Sequence, residues 1–106
     1  MMQLKKIGLA ALASLCAWGA HAQDANARLQ TRALVATCAS CHGTDGRAVE
    51  GSAVPGLAGS PKATIATQMK AFKDGTRPAT IMHQLSRGYT DEQIDRISTY
   101  FAAVKR

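Results

Sequence analysis

Cys38-Ala39-Ser40-Cys41-His42 is the stretch from which the rest of this chain is read. Two thiols three positions apart, with an imidazole directly after them, form the spacing at which a c-type haem is attached. Each thiol adds to one haem vinyl group, and His42 is then held under the iron as proximal ligand. Other chemistries also use paired Cys. A thioredoxin-like redox pair needs a surrounding βαβ pattern, and no strand alternation is present. A zinc site needs a fourth ligand, and only His83 stands outside the motif once the N-terminal segment is set aside. A structural disulfide suits an oxidising compartment but leaves His42 without a task. Haem attachment gives all three side chains a role.

Upstream of the motif, residues 1–22 read as a secretory signal peptide. Lys5 and Lys6 form a basic head, Ile7 to Ala20 carries no charge, and Ala20-His21-Ala22 supplies small residues at the −3 and −1 positions of a cleavage site. The apolar run is too short to span a bilayer comfortably. Cys16 is preceded by Leu15 rather than by the small residue a lipoprotein signal would carry. Cleavage before Gln23 leaves a domain of residues 23–106, or 84 of 106 residues (106 less 22). Removing Lys5 and Lys6 leaves 11 of the 13 basic side chains against 7 acidic ones, a formal +4. No later segment approaches transmembrane length, so the expected product is soluble and periplasmic. Export also makes nucleic acid an improbable partner despite the basic balance.

Downstream, the pattern is short helices joined by loops, and the expected class is all-α. Asn26 to Thr37 lacks Gly and Pro, with Leu29, Ala33 and Ala36 spaced for one helical face. Glycines and Pro55 break the chain from Gly43 to Gly59. A second helix is expected from Ser60 as N-cap and Pro61 as first residue, with Ile65, Met69 and Phe72 on one face and Gly75 as its stop. A shorter helical stretch after Pro78 carries Ile81, Met82 and Leu85 and stops at Gly88. Thr90-Asp91-Glu92-Gln93 is a capping box. It opens a last helix whose stripe is Ile94, Ile97, Phe101 and Val104, with Lys105 and Arg106 at its end.

A chain of this size gains only marginal stability from a hydrophobic core, and after cleavage its only aromatics are Phe72, Phe101, Tyr89 and Tyr100. A large apolar haem, covalently held, would fill that centre. The iron's other axial position needs a soft or imidazole ligand, and the candidates are Met69, Met82 and His83. Met69 falls on the apolar stripe, where a core Met is the default. Met82 lies between two turns ahead of the last helix, and position alone favours it; His83 is its neighbour.

These residues resemble the small class I cytochromes c over nearly all of the exported sequence. Cys38-Ala39-Ser40-Cys41-His42-Gly43 with Asp45-Gly46 is similar to the family's haem-attachment segment. Pro55-Gly56-Leu57-Ala58-Gly59 is similar to the loop in which a proline carbonyl accepts a hydrogen bond from the proximal imidazole, which gives Pro55 that role. Gln68, Phe72, Lys73, Gly75 and Arg77 resemble the stretch before the ligand Met. Thr80-Ile81-Met82 with Arg87-Gly88-Tyr89-Thr90 most resembles the cytochrome subunit of flavocytochrome c sulfide dehydrogenases. The resemblance implies one covalent haem c, with His42 and Met82 as axial ligands and Met69 as packing. His83 departs from the small residue expected after the ligand Met and stays a competing ligand.

The function expected is electron transfer, without catalysis by this chain. A His/Met pair saturates the iron, and Met ligation favours its reduced form. The resemblance implies that electrons come from an FAD-containing sulfide dehydrogenase partner. The alternative is a freestanding carrier delivering electrons to a terminal oxidase. A peroxidase-type enzyme is a third reading, requiring an open axial position with His83 as distal acid or base.

Overall fold

The computed structural model describes the backbone of residues 2–106 and the side chains of residues 19–106. The side chains of Leu15, Cys16 and Trp18 lie outside the described residues. The chain divides into two compact units, residues 1–30 and 31–106. All the candidate ligands belong to the second.

The elements are helical throughout, with no strand among the described residues: α1 Met2–Ala36, α2 Ala39–His42, a 3₁₀ turn Thr44–Gly46, α3 Lys62–Asp74, α4 Met82–Arg87 and α5 Asp91–Ala103. The second unit is organised on α5. Its entry is fixed by the expected capping box: Gln93 N donates to Thr90 Oγ1 at 3.1 Å, and Thr90 N donates to Gln93 Oε1 at 2.9 Å. Ile94, Ile97 and Phe101 are buried and form a core cluster with Val35, Ile65 and Met69. Helix α3 packs on both α4 and α5. Arg96 on α5 reaches Thr31 Oγ1 at 2.9 Å and brings the last turns of α1 onto the same core.

Several local expectations are corrected. Leu29 is 66% exposed, and Ala33 and Ala36 are exposed as well. The face of α1 turned inward in the second unit is instead Thr31, Leu34 and Val35. Helix α3 starts one residue later than expected: Pro61 has ψ 136° and is itself the cap, without a side-chain hydrogen bond. Ser60 closes a turn on Leu57 O. Helix α5 ends at Ala103, where Val104 turns extended, so Lys105 and Arg106 lie beyond the helix and its last turn carries no basic residue. The carbonyl of Lys105 accepts from Arg47 Nε at 3.0 Å, which holds the C-terminal segment against the loop after α2.

Candidate haem site

The motif is presented on a single helical turn. Cys38 N donates to Val35 O at 3.1 Å as α1 ends, and Cys38 O accepts from His42 N at 2.9 Å. Both cysteines are free thiols, Cys38 half-buried and Cys41 exposed. Burial pushes the Cys38 thiol above its ordinary value, against a smaller opposing effect from its hydrogen bond with Thr37. Gly43 ends the turn at φ 87°. The chain then returns beneath the imidazole because Gly46 O accepts from both Leu57 N and Ala58 N, at 2.8 and 3.0 Å.

That closure sets His42. Its Nδ1 lies 2.6 Å from the carbonyl oxygen of Pro55. A carbonyl only accepts, so Nδ1 carries the proton and Nε2 keeps its lone pair. This is the tautomer a metal-binding imidazole needs, with the ring's orientation fixed by its other nitrogen.

Met82 opens α4, is partly buried and packs against the core cluster. Met69 sits within the core at 7% exposure, and its Sδ accepts a hydrogen bond from Ser86 Oγ at 3.6 Å. His83 is partly buried, and its Nδ1 is buried without a hydrogen-bond partner. An unpaired buried ring nitrogen beside Met82 keeps His83 a candidate donor in its own right. Leu34, Leu57 and Tyr89 add partly buried apolar surface around the core.

The donor set fits a covalent haem: two thiols on one turn, an oriented imidazole nitrogen, and a thioether on a separate element with apolar walls. Zinc finds less support. Among the described residues no group of three or more His, Cys, Asp or Glu side chains is arranged to hold a metal. No helix among the described residues is long and apolar enough to cross a membrane.

Two features escaped the sequence reading. Ser86 is fully buried near the end of α4, although serine carries no apolar signal. Tyr89 Oη lies 3.2 Å from Thr37 Oγ1, bridging 52 positions of sequence.

Comparison with known proteins identifies the family. The cytochrome c family model matches residues 30–105. The chain is 38% identical over 73 residues to the cytochrome subunit of sulfide dehydrogenase of Chlorobaculum tepidum, covering 69% of this chain and 64% of that protein. It is 31% identical over 70 residues to a thiosulfate dehydrogenase electron acceptor of Thiomonas intermedia, covering 66% of this chain and 32% of the relative. Cytochrome c-554(548) of Halomonas halodenitrificans is 33% identical over 72 residues, with 86% of its length covered. The chain therefore spans less than two thirds of the first two relatives. Among solved structures, cytochrome c4 of Acidithiobacillus ferrooxidans superposes with a TM-score of 0.59 at 33% identity, over 63% of this chain and 38% of that one. With the paired thiols and His42 inside a match that runs from residue 30 to residue 105, this chain belongs to the cytochrome c family, electron-transfer proteins that carry a covalently attached haem c.

Proposed function

We propose that this protein is an exported cytochrome whose iron is held by His42 and Met82, and that it takes electrons from a flavoprotein that oxidises sulfide. The observation that carries the ligand assignment is the 2.6 Å contact from His42 Nδ1 to Pro55 O, which leaves Nε2 free for a metal. The Ser86–Met69 hydrogen bond supports Met82 over Met69 as the second ligand, because it engages the Met69 sulfur within the core. Cys38 and Cys41 would anchor the group by thioether bonds.

When bound, haem would supply an iron that gains or loses one electron. The chain's residues contribute the rest. His42 is held in one tautomer by Pro55, so its ring needs little reorganisation when the iron's charge changes. Met82 offers a neutral, polarisable sulfur, which favours the reduced state. Leu34, Leu57 and Tyr89 supply apolar surface that excludes water.

The sulfide-oxidising donor is supported by the similarity to the cytochrome subunit of sulfide dehydrogenase. A free carrier is the second reading, supported by cytochrome c-554(548), most of whose length this chain matches. Export rests on the leader pattern of residues 1–22. Expression with a haem-ligation system tests these assignments. The product is expected to begin at Gln23 and carry one haem, adding roughly 0.6 kDa. Replacing Cys38 and Cys41 by Ala is expected to abolish attachment and most helical signal. A product that keeps residues 1–22, or a double variant folded like wild type without haem, would contradict the assignment it tests.

A further inference from the structure

The attachment segment and the Met82 helix come from distant parts of the chain, and a short hydrogen-bond relay joins them. Thr37 immediately precedes Cys38. Its Oγ1 donates to Leu34 O at 3.0 Å, which commits the hydroxyl proton. Tyr89 Oη stands 3.2 Å from the same Oγ1, so in this arrangement Tyr89 is the donor. The relay runs from Tyr89 through Thr37 to Leu34. It ends on a carbonyl of α1's last turn, one of those that a helix leaves without an internal partner.

Tyr89 is also fixed at its backbone. Its N–H donates to Ser86 O at 3.2 Å, and its carbonyl accepts from Lys73 Nζ at 2.6 Å. Ser86 is in turn seated on Met69. Met82, Ser86 and Tyr89 stand at i, i+4 and i+7, the inward stripe of α4 and its continuation. A displacement of α4 that carries Met82 outward would therefore also shift Tyr89, which is bonded to the end of the same helix. Packing alone would be served as well by phenylalanine; the hydroxyl is what reaches Thr37.

We propose that Tyr89 is a positioning residue for the distal ligand: through Thr37 its hydroxyl ties the Met82 helix to the attachment segment and sets how easily Met82 is displaced from the iron. This rests on the His42/Met82 reading above. Loss of the strap leaves haem attachment intact and makes the distal side easier to open.

The experiment uses the haem-loaded protein and exogenous imidazole, which displaces a Met ligand from ferric iron and removes the Met-to-iron absorption band. Tyr89→Phe and Thr37→Val are each expected to raise imidazole affinity about threefold to tenfold, the size of one hydrogen bond. The double variant should gain no more than either single one. Thr37→Ser, which keeps the hydroxyl, should restore affinity to within about twofold of wild type, and it decides the matter with Tyr89→Phe if Thr37→Val loads haem poorly. Unchanged imidazole affinity in Tyr89→Phe overturns the proposal, even if its unfolding midpoint falls. So do single effects that add in the double variant. Met82→Ala run alongside separates the two levels: a retained band there removes the ligand assignment and the strap with it, whereas a lost band leaves Tyr89→Phe to judge the strap alone.

Discussion

Ser86 Oγ donates to Met69 Sδ across 3.6 Å, in a core where Ser86 has no exposed surface. Two residues that look ordinary in sequence therefore form a polar contact inside the apolar cluster. The contact distinguishes the two methionines. Met69 is held by α3 and acts as an acceptor, while Met82 stands a helical turn before Ser86 on the same face of α4.

Met69→Leu is accordingly expected to keep the Met-to-iron band, and Met82→Ala to lose it together with a lower reduction potential. Met69→Leu still destabilises, by about 1–3 kcal/mol, because it leaves the buried Ser86 hydroxyl without an acceptor. Adding Ser86→Ala to Met69→Leu should recover part of that loss. Absorption spectra and urea unfolding of the haem-loaded variants check both halves. A band lost in Met69→Leu and kept in Met82→Ala would reverse the assignment.

The loop beneath His42 makes a second, sharper demand. A Cβ on Gly43 would lie 1.9 Å from Arg47 O, at a φ of 87°. Gly75 has a similar φ of 83° with nothing within 4 Å. The backbone penalty is thus shared and the collision is not. Gly75→Ala is expected to cost about 1 kcal/mol. Gly43→Ala should cost more than about 3 kcal/mol and lower the yield of haem-loaded protein, since the loop carrying Pro55 no longer closes. Equal losses of stability in the two variants would show that the loop relaxes around the added methyl group.

What the sequence displayed was local chemistry. The capping box at Thr90 and Gln93 works within four residues, and the Ile94, Ile97 and Phe101 stripe follows helical period; both are present. The paired thiols and His42 occupy one turn, so their spacing alone carries their meaning. Contacts between remote segments were not legible. The partners Thr37 and Tyr89, or Ser86 and Met69, share no period or motif. The inward face of α1 was misread because its alanines fit several registers, and Val35 settles the register through its contact with the core. Ser60 has the right side chain for a cap, but the backbone of Pro61 takes the position instead.

Tyr100 provides a test in alkaline solution. Its hydroxyl donates to Asp45 Oδ1 at 2.8 Å, and this bond, followed by burial and the Asp45 charge, raises its pKa above the ordinary 10.0. Arg32 and Arg47 pull weakly the other way. The folded protein therefore holds this proton more tightly than the unfolded chain. The resulting stability is complete below pH 10.0 and is lost as pH rises through the folded value. Wild type should lose urea resistance more steeply than Tyr100→Phe as pH rises above 10.0, and the two should run parallel below it. Parallel pH profiles for the two proteins would mean that the Asp45 contact contributes nothing measurable.

The partner is approached through salt. A diffusible carrier finds its donor by charge steering, whose effect fades as ions screen it, whereas a fixed subunit is held by a larger and less charged interface. Here the basic side chains are spread from Arg28 to Arg106 without a block. Several are paired locally: Lys62 with Asp95 at 2.7 Å, Arg47 with Asp45 at 3.6 Å, and Lys73 with Asp91 at 3.8 Å. Little concentrated charge is left to steer an encounter. Reduction by a sulfide-oxidising flavoprotein is therefore expected to change less than about threefold between 20 and 200 mM salt, with the two chains eluting together. A monomeric elution with a fall of about tenfold or more over the same range would identify a freely diffusing, electrostatically guided carrier instead.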